Sequence, residues 1–233
     1  MDILLIPGFW LDASSWDAVV PALEKAGHRV RALTLPGLEA RASPRAEVHL
    51  HDHVDAVVAA IDAISGPVVL VGHSGGGAVA HAAADARPSR VARVVHVDTF
   101  PLPSGQCVNS GLPVVDGEIP LPEWSFFEDA DLVDLDDDLR ARFRERAIPQ
   151  PAYVASDLQE LSDERRFAVP ATIVACQFTP EQLREWMDGG EPVLADLKRM
   201  EDVTWVSLPT GHWPQFTRPA ELAEVLVTSV GAT

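Results

Sequence analysis

Residues 67–83 read PVVLVGHSGGGAVAHAA, and the reading of this stretch decides the fold. The run before Gly72 is apolar and β-branched, as suits a strand buried on both faces, and the run from Ala78 is alanine-rich, as suits a helix. Ser74 therefore falls on the turn between a strand and a helix. Gly72, Gly75 and Gly76 surround it with residues that accept tight or positive-φ backbone and leave little side chain to block a ligand. Gly72-His73-Ser74-Gly75-Gly76 has the layout of a nucleophile elbow, G-x-S-x-G, with Ser74 as the candidate nucleophile. A glycine-rich turn without chemistry and a phosphate-cradling loop are the competing readings. A Walker-type loop requires Gly-Lys-Ser/Thr, and no lysine stands near. No G-x-G-x-x-G with a following acid opens the first strand, which disfavours a dinucleotide fold.

Working outward, the expected elements alternate. Strands are predicted over 2–7, 29–35, 68–71, 91–97, 171–175 and 203–207, and helices over 14–26, 54–64, the alanine-rich run after Ser74, a stretch from Pro180, and 219–230. The implied class is α/β, a mostly parallel six-stranded sheet with helices on both faces. Ligands of such sheets bind outside the carboxyl ends of the strands, the edge at which Ser74 lies. The alternation lapses over 100–169, a segment with its own prolines, an acidic run over 128–138 and an expected helix over 139–147. The expectation is a single domain with a core of 1–99 and 170–233 and a cap inserted at about 100–169. Trp124, Phe126 and Phe127 of that insertion are expected either to line a pocket or to seal the cap's own small core. The acidic run is expected to be a solvated face.

The composition narrows the partners. A chain of 233 residues with 47% apolar content is long enough to bury a sizeable core. Its formal charge is -17, from 18 basic and 35 acidic residues, so nucleic acid and anionic membrane are poor partners and a small-molecule substrate fits better. Cys107 and Cys176 have neither C-x-x-C nor metal spacing. The N-terminal MDILLIPGFW has no basic n-region, and no apolar run approaches the roughly 18 residues of a membrane span, so a soluble, cytoplasmic protein is expected.

A serine hydroxyl needs a base, most often a histidine held by a carboxylate. His73 and His81 flank the elbow, His96 is inside a strand, and His28 follows the Gly27 that closes the first helix. His49, His51 and His53 form HLHDH, one residue short of H-x-H-x-D-H, and no metal is expected there. His212, in LPTGHWPQFTRPAEL, stands after the last strand and before the last helix, on the edge that carries Ser74.

With LLIPGFW after the first strand, VGHSGGG at the elbow and GHWPQFTRP near the end, the sequence resembles the α/β-hydrolase superfamily over essentially its whole length. It is similar to compact members such as plant hydroxynitrile lyases and methylesterases and actinobacterial esterases. The resemblance implies an oxyanion hole from the backbone N–H groups of Phe9 and Gly75. Pro7 stands where many members carry histidine. The family's usual acid follows the strand after the cap, where ATIVACQFTPEQ offers Gln177, Phe178 and Thr179 instead. A subset of members places the acid at the end of the strand before the cap, which here is Asp98 in VVHVDTFP. Glu181 is the rival, but its place in the first turn of a helix is already explained by the helix dipole. Asp202 precedes the last strand and lies at the wrong end of the sheet.

The function these residues imply is serine hydrolysis of a carboxylic ester or lactone through an acyl-enzyme, by Ser74, His212 and Asp98, with no cofactor. Trp10, Trp124, Phe127 and Trp213 are the expected substrate-binding residues, which suits small, uncharged, apolar or aromatic substrates. Three alternatives use the same scaffold. One is hydroxynitrile-lyase-type cleavage, although Trp213 stands where plant lyases carry lysine and the only lysines are Lys25 and Lys198. The second is perhydrolase activity, since PGFWLDASSWD looks like the corresponding loop of bacterial haloperoxidase-type members. The third is a ligand-binding receptor on a hydrolase scaffold.

Overall fold

In the computed structural model, which describes residues 1–231, the buried runs pair side by side. The elements are β1 (Asp2–Ile6), α1 (Val20–Lys25), β2 (Arg29–Ala32), α2 (Leu50–Asp62), β3 (Val68–His73), α3 (Gly75–Ala86) and β4 (Val91–Val97). There follow β5 (Glu118–Ile119), α4 (Asp137–Arg146), β6 (Gln150–Pro151) and α5 (Ala152–Ser156). The chain ends with β7 (Ala171–Ala175), α6 (Pro180–Gly189), α7 (Ala195–Arg199), β8 (Val203–Ser207), α8 (Pro214–Thr217) and α9 (Pro219–Gly231). Six strands form one sheet in the order β2-β1-β3-β4-β7-β8, and every pairing in it is parallel. β5 and β6 make a separate antiparallel ladder.

The two faces of the sheet follow the two-residue strand period. Ile3, Leu5, Val69, Val71, Val95 and Val97 share one buried cluster with Leu23 of α1 and Leu222, Leu226 and Val230 of α9. Leu4, Ile6, Leu70 and Val94 face the other way, against Val57 and Ile61 of α2 and Val79 and Ala83 of α3. The central strands are buried along their length, whereas no residue of the outermost strands β2 and β8 is fully buried.

The boundaries depart furthest from the sequence expectation at three places. The first helix is divided into a 3-10 turn at Ala13–Trp16 and α1, where Pro21 lies in the first turn and its missing N–H costs nothing. β2 stops at Ala32. α2 begins four residues early, at Leu50, because Asp52 accepts the His49 N–H at 2.8 Å and Asp157 accepts the Leu50 N–H at 3.1 Å. The second cap comes from a residue 107 positions away, which local sequence does not reveal.

Residues 99–170 leave the sheet at the carboxyl end of β4 and return at β7. This excursion packs Ile119, Phe143 and Ile148 into the same buried cluster as Leu4 and Leu70. No helix among the described residues is long and apolar enough to cross a membrane.

Candidate active site

Ser74 sits between β3 and α3 with φ 51 and ψ -125, a conformation costly for a residue with a side chain, of order 1–3 kcal/mol. The turn closes only because its neighbours lack side chains. A methyl group on Gly72 would come within 2.5 Å of the Gly76 carbonyl oxygen and 2.6 Å of the Gly77 Cα, both of them backbone and unable to yield. The Ser74 N–H donates to the Val97 carbonyl at 3.1 Å, which ties the turn to the end of β4.

His212, on the loop between β8 and α8, places Nε2 2.8 Å from Ser74 Oγ and Nδ1 2.7 Å from Asp98 Oδ2. A carboxylate accepts, so Nδ1 carries the proton and Nε2 offers its lone pair to the serine hydroxyl. Asp98 follows β4 directly, with φ 48, and its side chain is fully buried. Its second oxygen, Oδ1, accepts the N–H groups of Cys176 at 2.9 Å and Gln177 at 3.0 Å. The end of β7, where members of the resembled family usually carry the acid, thus supplies backbone donors that hold Asp98. Glu181 stands apart, 73% exposed and paired with Arg184 at 3.2 Å.

The Phe9 side chain lies against Gly75. A methyl group on Gly75 would meet the Phe9 ring at 2.5 Å. Gly75 is the first residue of α3, where helix geometry supplies no acceptor for its N–H. Among the described residues none accepts the Phe9 N–H. Trp10, with φ 64, is fixed by its indole N–H, which donates to the Ile119 carbonyl at 3.0 Å.

A cavity of about 620 Å³ opens over Ser74 and His212, and Phe9, Trp10, Phe126 and Phe127 lie in its wall. Trp124 and Trp213 do not. Trp213 is 1% exposed and turns inward against Phe143, with ring centres 5.2 Å apart, because the chain after His212 bends back into α8. Trp124 packs on Trp213 at 6.0 Å and on Phe127 at 5.8 Å, so the two tryptophans support Phe127 from behind. The cavity is also lined by Gln177, Phe178, Gln182 and Trp186, at and beyond the end of β7. Their position at the carboxyl edge was the only sequence signal for them.

The acidic run is not simply a solvated face. Asp136 caps α4 by accepting the Leu139 N–H at 2.8 Å, and Asp137 and Asp138 lie in the helix's first turn, where its dipole favours them. Before them, the carbonyls of Asp131 and Val133 accept the N–H groups of His212 at 2.8 Å and Gly211 at 3.1 Å. Asp134 accepts from Thr210 Oγ1 and Arg218 Nε, each at 3.0 Å. The excursion is therefore laced to the loop that carries His212. Asp131 also borders the cavity, and burial raises its carboxyl pKa, the charge of Asp98 adding to the effect while the neighbouring His212 opposes it. With Glu128 and His212 it completes the ionisable side chains of the wall, none of them a lysine or arginine.

Other histidines are engaged elsewhere. His81 pairs with Asp196 at 3.0 Å, His49 with Asp157 at 2.9 Å, and His53 with the Pro36 carbonyl at 2.9 Å.

A family model described as the alpha/beta hydrolase family matches residues 3–225. The carbendazim hydrolyzing esterase of Nocardioides sp. (strain SG-4G) is 34% identical over 114 residues, 48% of this chain and 47% of that protein. That match spans about half of the relative's length. The pyrethroid hydrolase of Sphingobium wenxiniae is 29% identical over 244 residues, covering 97% of this chain and 86% of that protein. A solved extracellular alpha/beta-hydrolase from a Paenibacillus species, described as sharing structural and functional homology with tobacco salicylic acid binding protein 2, superposes with a TM-score of 0.76. It is 23% identical and covers 98% of each chain.

Proposed function

The chain belongs to the alpha/beta hydrolase family, and from that premise we propose that it is a serine hydrolase that cleaves a carboxylic ester or lactone through an acyl-enzyme. The observation that carries the reading is the unbroken line from Ser74 Oγ through the His212 ring to Asp98, with contacts of 2.8 and 2.7 Å. His212 Nε2 takes the Ser74 proton as Oγ attacks the carbonyl carbon, and Asp98 stabilises the imidazolium that forms. The N–H groups of Phe9 and Gly75 bind the oxyanion, donors of this kind being worth about 3 kcal/mol each. The alcohol leaves with the proton from His212, and water then repeats the sequence to release the acid.

The excursion over 99–170 serves as the cap. Its Phe126 and Phe127, with Trp10 below, favour small, uncharged substrates with apolar or aromatic groups, and the acidic side chains of the wall disfavour a substrate carboxylate. The names of two relatives, an esterase and a pyrethroid hydrolase, support ester hydrolysis. For lyase chemistry, by contrast, no lysine reaches the cavity.

The test is covalent labelling by a fluorophosphonate together with a panel of p-nitrophenyl esters and lactones. Stoichiometric labelling and turnover that both vanish in Ser74→Ala support the reading. Undiminished hydrolysis by that variant, or labelling of it at another serine, would overturn it.

A further inference from the structure

His73, the last residue of β3, stands directly before Ser74, yet none of the steps above uses it. Its side chain is fully buried, with Nε2 2.6 Å from the main-chain oxygen of His212 and Nδ1 3.1 Å from Gln215 Nε2. A carbonyl only accepts, so Nε2 carries the proton and Nδ1 accepts from the Gln215 amide. Burial pushes the imidazole pKa down to about 3, with the neighbouring His212 adding to the effect, so the ring stays neutral across the range in which a histidine acts as a base. The loop leading to Phe9 packs on the same ring, for a methyl group on Gly8 would lie 2.6 Å from Nδ1.

The His212 peptide is thereby gripped from both sides, its N–H by the Asp131 carbonyl at 2.8 Å and its C=O by His73. The ring's own partners, Ser74 and Asp98, are the groups whose bonding changes when the proton moves. The partners of its peptide do not change. We propose that His73 is a positioning residue which, oriented by Gln215, sets the distance between His212 Nε2 and Ser74 Oγ. The proposal rests on the reading of His212 as the base. A neutral donor suits the task, because a second cation beside His212 would oppose formation of the imidazolium.

The experiment compares His73→Phe, which removes both hydrogen bonds, with His73→Gln, whose amide retains a donor for His212 and an acceptor for Gln215. Rates are measured per site titrated with a fluorophosphonate, so that unfolded protein is not counted. His73→Phe is expected to lose about 10²-fold in kcat with KM within threefold, the loss typical of an ångström-scale misplacement. His73→Gln is expected to recover most of that loss. A purely structural role would lower the number of titratable sites and leave the rate per site unchanged, and that result overturns the proposal. If His73→Phe does not fold, Gln215→Met reads the same point with the imidazole in place: a tenfold fall in kcat per site supports the proposal and an unchanged kcat overturns it. Wild-type protein that is neither labelled nor active would overturn the hydrolase reading, and this proposal with it.

Discussion

At the scale of single residues, the acid is the sharpest test. Asp98 is buried, bonded to His212 and held by two backbone N–H groups, whereas Glu181 is exposed on α6. Asp98→Asn is expected to lower kcat by about 10⁴-fold, by leaving His212 in the wrong tautomer. Glu181→Gln should stay within twofold of wild type at matched folded stability. An Asp98→Asn enzyme within tenfold of wild type would refute the assignment. That Ser74, Asp98 and His212 share one edge of the sheet was legible in the sequence because Ser74 and Asp98 directly follow apolar strands and His212 lies on the loop after the last strand, and the carboxyl end of a parallel strand is a place on the sheet. Trp124 and Trp213 were misplaced for the converse reason. A strand's two-residue period says which way a side chain points, but a loop has no such period, and Trp213 turns inward to Phe143 only because the chain re-enters a helix at Pro214.

At the scale of elements, the hold of the excursion on the His212 loop has a measurable counterpart. Asp134, with φ 62, accepts from Thr210 and Arg218 on either side of His212. Asp134→Ala removes both bonds and leaves the carbonyl contacts of Asp131 and Val133 unsupported. The expected result is a Tm lower by about 2–4 °C, typical of a modest loss in a chain of this size, and a kcat reduced by about tenfold as His212 is held less firmly. Asp134→Asn, which tolerates the same backbone conformation and keeps an acceptor, should retain more of both; equal losses in the two variants would remove the hydrogen bonds as the cause. Composition could not reveal this tie. The acidic run reads as a solvated face, yet two of the four bonds come from its main-chain carbonyls, which are the same for every residue type. α6 was foreseen as a helix, but its contribution of Gln182 and Trp186 to the cavity depends on how it docks on the sheet, a tertiary fact.

At the scale of the whole molecule, the alternation of strands and helices sufficed for the parallel class of the sheet, since successive parallel strands need a crossover that a helix supplies, but not for the order of its strands. Buried imidazoles then set how the fold answers acid. The pKa of His53 is lowered to about 4 and that of His73 to about 3, burial being the main cause in both, and His96 is lowered in the same way. The unfolded chain takes up protons on these groups below pH 6.5 that the folded chain refuses, so stability is full above that pH and falls as the pH drops toward 4. The slope is about 1.4 kcal/mol per pH unit for each group fully titrating only in the unfolded state. Asp131, with its raised pKa, works in the opposite sense. Urea melts from pH 7.5 to 4.5 should show midpoints falling steadily below pH 6.5, and flat midpoints would contradict the burial of these rings. The all-parallel sheet also has a kinetic consequence. Every strand pair in it must close a long loop, as where Asp2 meets Val68, and His212 meets Asp98 and Ser74 across 114 and 138 residues. Loop-closure entropy makes such contacts slow to form. On dilution from denaturant, far-UV circular dichroism should therefore recover ahead of esterase activity, leaving for a time a sheet whose Ser74 has yet to meet His212; simultaneous recovery of the two signals would show that sheet and site form in one step.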